Sequence, residues 1–272
     1  MSKLSNISNG FFYHFVAPIF GRLWNGKNMY VNVIYYHDIV RDDGFSFMRT
    51  NIDVFKRQME WLKREGYETL RFDDLDEEHI KFRRKRVLIA FDDGWRSNYT
   101  EIFDYMKERG LNYNVFLTVG EIGVNQEYLT WDMVREMHES RLCGFGAHTY
   151  THPDMSDLSK VDFDKEVNKA NRVFEKEMGY NPEDFCYPFG YYSEDSNLRL
   201  EKETIYKRIY TSKKMYSYEQ NGRLIFGRNG ISTDDTDSIF QRRVKGYMNF
   251  LKVYEDSIYN PILKLYHKIR KS

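Results

Sequence analysis

The stretch "VLIAFDDGWRSNY" constrains this chain more than any other. Val87 to Phe91 read as a strand buried on both faces, and it runs straight into two adjacent carboxylates and a glycine. Aspartates are poorly suited to a core unless something pairs with them. Adjacent strand residues point to opposite faces, so Asp92 and Asp93 can converge on one site only where the strand ends. Gly94 permits the sharp turn that this needs. Taken alone, the triplet reads equally well as a polar turn before a helix.

From Val31 onward, short apolar runs alternate with helical patterns. The strand candidates are "VNVIYY", "RVLIAF", "NVFLTV", "CGFGA", "DFCYPF" and "RIYTS". Apolar spacings of three and four mark helices at Phe55, Met59 and Leu62, at Ile102, Phe103 and Met106, and at Phe163, Val167, Ala170 and Phe174. Ser159 and Asp162 read as a capping box before the last of these. Strand, helix, strand repetition implies a parallel α/β sheet, either a closed barrel or a doubly wound open sheet; both place function at strand C-termini. "YSYEQNGRLIF" is a local exception, because Asn221-Gly222 signals a two-residue hairpin. The expected organisation is an aromatic N-terminal segment over 1–29, a catalytic domain over 30–238 and a partly basic, helical tail over 239–272.

The second informative stretch is "GAHTYTHPD". His148 and His152 are four apart, but Pro153 disfavours helical geometry at His152, so the pair reads as a loop leaving the strand "CGFGA". Two histidines and one carboxylate form a hydrolytic zinc site with an open position for water. With one carboxylate, Asp93, and two neutral imidazoles, a divalent ion keeps net positive charge and lowers the pKa of bound water to about 7. Asp92 is then free to act as general base. Nitrogen and oxygen ligands of this kind accept Zn²⁺, Co²⁺ or Ni²⁺, with Zn²⁺ preferred. The two cysteines, Cys143 and Cys186, form no CxxC pair and point to neither a thiolate site nor a disulfide framework.

"FDDGWRSNY", "AHTYTHPDM" and "CYPFG" together resemble, in order and spacing, the three central motifs of the polysaccharide deacetylases, family 4 of the carbohydrate esterases. The resemblance spans roughly Val31 to Ser232. It implies a distorted, incomplete (β/α) barrel and a metal-dependent removal of acetyl groups from a sugar. By position it makes Asp92 the base and Asp93, His148 and His152 the metal ligands, in agreement with the charge argument. It also makes the backbone N–H of Phe189 an oxyanion donor.

Many members carry an arginine at the position of Cys186, where it orients the base; Arg228 in "FGRNGIS" is the candidate to supply that charge from a later strand. The usual C-terminal acid motif is absent too. "LKLYHKI" holds His267 without a motif around it, whereas His37 in "VIYYHDI" directly follows the first strand and should project from the same rim. An early "YH" and a "YPFG" resemble the poly-N-acetylglucosamine deacetylase branch, which implies that His37, as imidazolium, protonates the departing amine. His14, His79 and His138 belong to no motif. Trp95, Tyr150, Tyr187, Tyr191 and Tyr192 lie near the motifs and are candidates to stack on sugar faces; Trp95, Tyr187, Tyr191 and Arg228 are the substrate-binding set.

The 41 basic and 41 acidic side chains cancel, so no global field recruits nucleic acid, and 17% aromatic content suits a sugar-binding or membrane-facing protein. "FFYHFVAPIF" has neither the n-region nor the cleavage site of a signal peptide, and no run approaches the roughly 20 apolar residues of a spanning helix. Ile258, Ile262, Leu265, Tyr266 and Ile269 share one helical face with lysine and arginine around the rest, an interfacial pattern. The expectation is therefore a cytoplasmic protein, peripheral at the inner membrane face through its termini, acting on an acetylated glycan that is either a polymer or lipid-linked. A glycosidase fits poorly, because its two carboxylates must stand at least about 5 Å apart across the scissile bond. The remaining alternative is a noncatalytic carbohydrate-binding protein on a degenerate deacetylase scaffold. Sequence leaves the oligomeric state open.

Overall fold

The computed structural model describes residues 29–42, 48–83, 85–157, 162–249 and 251. The expectations about the N-terminal aromatic segment, the amphipathic face from Ile258 to Ile269, His14, His267 and Ser159 lie outside the described residues. So does the basis for membrane association and localisation. No described helix is long and apolar enough to cross a membrane.

In chain order the elements are β1 (Asn32–Tyr36), β2 (Asp38–Val40), β3 (Arg49–Asn51), α1 (Ile52–Arg64), β4 (Glu68–Leu70), β5 (Arg86–Phe91), α2 (Ser97–Thr100), α3 (Phe103–Arg109), β6 (Tyr113–Leu117), α4 (Trp131–Glu139) and β7 (Cys143–Ala147). A wide-turn helical segment (Asp164–Lys169) then leads into α5 (Ala170–Met178), followed by β8 (Asp184–Cys186), α6 (Glu194–Glu203), β9 (Arg208–Thr211), β10 (Tyr218–Gln220), β11 (Arg223–Gly230) and α7 (Asp237–Val244). The strands β1, β11, β9, β8, β7, β6 and β5 pair in parallel, and β5 pairs back to β1, which closes a seven-stranded ring. The open-sheet alternative is thereby excluded. The ring is one strand short of the common eight, and β7 meets β8 through a single register pair, Ala147 with Phe185. It is thus the distorted, incomplete (β/α) barrel that the motifs imply.

Both faces of the ring are covered, so its strands are buried and mostly apolar, but the two faces serve different cores. Val33, Tyr35, Leu88, Ala90, Phe116, Cys186, Tyr210 and Phe226 pack together in the barrel lumen. Their neighbours Ile34, Tyr36, Val87, Ile89, Phe91, Val115 and Leu117 pack outward with Phe55, Met59 and Leu62 of α1 and Phe103 and Met106 of α3. Phe185, Tyr187, Ile209 and Ile225 face outward on the other side, with Phe163, Val167 and Leu200. The period of two decides which side chains reach the lumen, and hence the site.

Asp162 Oδ1 accepts the N–H of Lys165 at 3.1 Å at the start of the helical segment. Two details depart from expectation. The hairpin at Asn221-Gly222 is present, with φ of 53° and 75° at its two turn residues. Its second strand nevertheless runs on through Gly230 as a full member of the barrel, beyond the excerpt read as a local hairpin. The boundary placed at 238 falls inside α7, whose Phe240 and Val244 are buried, as is Met248 beyond it. Asn249 bonds Asn229 and Asn32 at 2.9 Å each, so the barrel domain extends past that boundary.

Candidate active site

The lumen-facing rows of five strands end at one mouth. Leu88 and Ala90 continue to Asp92, Phe226 continues to Arg228, Tyr35 continues to His37, β7 continues past Gly146 to His148, and β8 ends on Cys186. All emerge at the C-terminal side of a parallel barrel, where the loops are free to vary.

Asp93 should point away from Asp92. It does not, because its own backbone is left-handed, with φ of 73°, ahead of Gly94 at 84°. Gly94 takes the left-handed turn expected of it, and the left-handed run begins one residue earlier, on the aspartate, a conformation tolerated by short polar side chains. The turn is tied by the Asp93 carbonyl accepting Thr118 N–H at 3.1 Å. Asp93 Oδ1 then lies 3.5 Å from His148 Nε2 and 3.4 Å from His152 Nε2. The donor atoms of these three residues lie within 4.8 Å of one another.

Two further strained residues shape the histidine loop: Thr149 at φ 66° and His152 at 61°. His152 N–H donates to Thr149 Oγ1 at 2.9 Å. Buried Glu166 accepts from Thr151 N–H at 2.7 Å and from its hydroxyl at 2.8 Å, a support that sequence reading missed. His148 Nδ1 faces the Cys186 carbonyl at 2.7 Å; a carbonyl only accepts, so Nδ1 carries a proton and Nε2 is the ring nitrogen turned to Asp93, whose charge helps hold the His148 pKa well up against burial. Burial, with the neighbouring His148, lowers the His152 pKa to about 4, which keeps that imidazole neutral at physiological pH.

A metal fits this set. Asp93 Oδ1 is buried with no hydrogen-bond partner, although its sister Oδ2 accepts from Trp95 Nε1 at 3.0 Å. A carboxylate oxygen left without a hydrogen bond beside the Nε2 atoms of two imidazoles, 3.5 and 3.4 Å away, is the arrangement a divalent ion would complete, replacing any proton on those nitrogens. Trp95 stacks on Tyr128 at 4.7 Å and is absent from the cleft wall, so its bond orients Asp93 and its ring does not serve as a sugar platform.

Asp92 is paired differently. Arg228, fully buried, forks onto it with Nη1 to Oδ1 at 2.6 Å and Nη2 to Oδ2 at 2.8 Å. The guanidinium also sits 4.1 Å over the Tyr35 ring and donates from Nε to the Thr211 carbonyl at 3.3 Å. Burial pushes the Asp92 pKa up, but the charge and hydrogen bonds of Arg228 override it and hold the carboxyl below its usual range. Arg228 thus gives Asp92 the guanidinium partner that Cys186 cannot. His37 Nε2 lies 3.9 Å from Asp92 Oδ2; burial lowers its pKa against the upward pull of Asp92 and Asp93.

These groups open into a cleft of about 520 Å³ lined also by Tyr35, Met48, Phe189, Tyr191, Ser212, Lys213, Lys214, Ile231, Ser232 and Arg243. Phe189 has a left-handed φ of 56° and packs edge-on to His152 at 4.6 Å. Phe189 and Tyr191 are 57% and 56% exposed, which leaves both rings free to meet a ligand. Tyr187 is the opposite case and corrects a substrate-binding assignment. It points outward into the helical layer, is fully buried, stacks on Tyr192 and donates its hydroxyl to Asn197 at 2.7 Å. His79 bonds Asp76 far from the mouth, and His138 stacks on Tyr180.

Residues 79–207 match the family profile described as "Polysaccharide deacetylase". The Bacillus subtilis protein YxkH, whose name carries a provisional polysaccharide deacetylase assignment, is 25% identical over 211 residues, 76% of this chain and 74% of the relative. The poly-beta-1,6-N-acetyl-D-glucosamine N-deacetylase of Staphylococcus epidermidis is 26% identical over 56% of this chain and 57% of its own length. Among solved structures, IcaB from Ammonifex degensii superposes with a TM-score of 0.66 at 22% identity, covering 80% of this chain and 97% of that one. A Bacillus cereus polysaccharide deacetylase superposes with a TM-score of 0.68 at 23% identity, covering 79% and 69%.

Proposed function

We propose that this chain, whose residues 79–207 match the polysaccharide deacetylase profile, is a metal-dependent hydrolase removing N-acetyl groups from an amino-sugar polymer or lipid-linked oligosaccharide. The observation that carries the reading is the division of labour between the two aspartates. Asp93 has an unsatisfied oxygen facing two imidazoles, whereas Asp92, next in sequence and near His148 and Cys186, has both oxygens engaged by the Arg228 fork.

Asp93, His148 and His152 would hold a divalent ion, Zn²⁺ by its donor set with Co²⁺ or Ni²⁺ as substitutes, which when bound supplies Lewis acidity and brings the pKa of water to about 7. Asp92, kept ionised by Arg228, accepts the proton of the attacking water. His37, 3.9 Å from Asp92, is placed to receive that proton and deliver it to the departing sugar amine, so that no amine anion has to leave. This replaces an imidazolium poised in advance, which burial of His37 disfavours. The backbone N–H of Phe189 faces the developing oxyanion, an interaction whose loss typically costs about 3 kcal/mol. Tyr191 offers an exposed ring to the sugar face.

The noncatalytic alternative rested on the missing arginine at Cys186, and the Arg228 fork removes that support. The test is acetate release from N-acetylated oligosaccharides with added Zn²⁺ and with chelator. Release that depends on the metal supports the reading; equal rates in both conditions overturn it.

A further inference from the structure

The lumen-facing row of β1 carries one side chain whose bulk its neighbours accommodate. Tyr35 stands in register with Ala90 of β5 on one side and with Gly230 of β11 on the other, so a large ring is flanked by the two smallest residues. A Cβ at Gly230 would lie 2.9 Å from both Cζ and Oη of Tyr35 and 3.1 Å from Cε1; the ring therefore leans across the glycine toward β11. Gly230 is not among the glycines with a left-handed backbone, so its missing side chain serves the close approach of the ring and not a turn.

Leaning that way puts the ring against two groups that the proposed reaction needs. The Arg228 guanidinium, which forks onto Asp92, lies 4.1 Å over the ring centre. The His37 imidazole packs crosswise against the same ring, with centres 5.5 Å apart and planes at 69°. Phe116 of β6 faces the guanidinium at 5.5 Å, and Asn98 Nδ2 donates to the His37 carbonyl at 3.1 Å, so each group is also held from a second direction. A ring face attracts a cation through its quadrupole, most strongly where water is excluded, and Arg228 is fully buried. Filling the lumen would need only an aliphatic side chain; these two contacts need a ring.

Resting on the deacetylase reading above, we propose that Tyr35 is a positioning residue for this reaction, its ring holding both the Arg228 guanidinium against Asp92 and the His37 imidazole beside it. One side chain thereby sets the base and the acid relative to each other, and the 3.9 Å between His37 Nε2 and Asp92 Oδ2 depends on it. The ring and not the hydroxyl carries this role, and Gly230 leaves the room for it.

The test pairs kinetics with side-chain NMR on Tyr35→Leu, Tyr35→Phe, Gly230→Ala and the double variant Tyr35→Leu/Gly230→Ala. The Arg228 Hε and Hη resonances, identified by their loss in Arg228→Met, should be shifted upfield by the ring in the wild type and in Tyr35→Phe, and should return to ordinary arginine positions in Tyr35→Leu. Tyr35→Leu should lower kcat for acetate release about tenfold or more with KM held within about twofold, and Tyr35→Phe should recover kcat to within about threefold. In Gly230→Ala the added Cβ displaces the ring, so kcat and the upfield shift fall together. On top of Tyr35→Leu the same alanine meets no ring and should lower kcat by no more than about twofold. An unshifted Arg228 in the wild type, full kcat in Tyr35→Leu, Tyr35→Phe as impaired as Tyr35→Leu, a Gly230→Ala that moves the shift but not kcat, or additive losses in the double variant each overturns the proposal. The spectrum needs no substrate: a ring-shifted Arg228 in a protein that releases no acetate sinks the deacetylase reading alone, and turnover indifferent to Tyr35→Leu sinks this one alone.

Discussion

Removing the Arg228 guanidinium tests whether the base is held by a partner supplied from β11, two strands round the barrel from β5. In Arg228→Met the Asp92 carboxylate loses both hydrogen bonds, at 2.6 and 2.8 Å, and stays buried. Stranding one member of a buried pair costs roughly 3–5 kcal/mol. For a chain of this size, at about 2–4 °C per kcal/mol, that is a Tm loss on the order of 10 °C. Asp92→Asn strands the cation instead and should cost a similar amount. The double variant buries neither an unpaired anion nor an unpaired cation, so much of the loss returns, and the cycle should show coupling of about 2–3 kcal/mol. Activity follows a different rule: without the fork Asp92 can rotate away from the water, and kcat/KM for acetate release should fall about 10²-fold in Arg228→Met even where the variant is folded. Additive stability losses in the cycle, or unchanged turnover in Arg228→Met, would refute the pairing as the device that positions the base.

Trp95→Phe removes the only described hydrogen bond to Asp93 Oδ2 and should weaken metal affinity roughly 10- to 100-fold in competition with a chromogenic chelator; unchanged affinity would show that Trp95 does not orient Asp93. His37→Gln should lower kcat by about 10²-fold or more while metal content stays stoichiometric, and a drop in metal content instead would move His37 into the ligand set. Tyr187→Phe should lose about 1 kcal/mol of stability with its Asn197 bond and leave KM unchanged; a raised KM would place Tyr187 at the substrate, against its outward orientation.

Much of the site was legible in the sequence because its chemistry is local. "FDDG" and "HTYTHP" each place their functional groups within a few residues, at a strand end that must turn, so spacing and type suffice. Asp93, His148 and His152 indeed meet around one point. The partner of Asp92 is set by pairing around the barrel and not by local spacing. Arg228 stands 136 residues away, and it was named only because Cys186 stands where many members of the resembled family carry an arginine; it does fork onto Asp92. Alternation supplies the physical reason: Phe226 and Arg228 share a face, as do Ala90 and Asp92, so both rows end at the mouth. The same rule would have sent Tyr187 outward, since Cys186 faces the lumen. Reading "GRLIF" as half of a hairpin concealed the seventh barrel strand, because a strand can serve an antiparallel neighbour at its start and parallel ones along its length. The turn at Gly94 was legible, and only the left-handed backbone of Asp93 before it gave no signal, because a glycine next door made it unnecessary to suppose. Lys213 and Lys214 had no motif at all; only folding of their segment against β11 brings them to the cleft.

The most direct measurement is anomalous diffraction at the zinc edge from crystals grown with Zn²⁺. The account predicts one strong peak, about 2.0–2.2 Å from an Asp93 oxygen and from Nε2 of both His148 and His152, with Asp92 still forked by Arg228. A peak elsewhere, or none at saturating Zn²⁺, would contradict it.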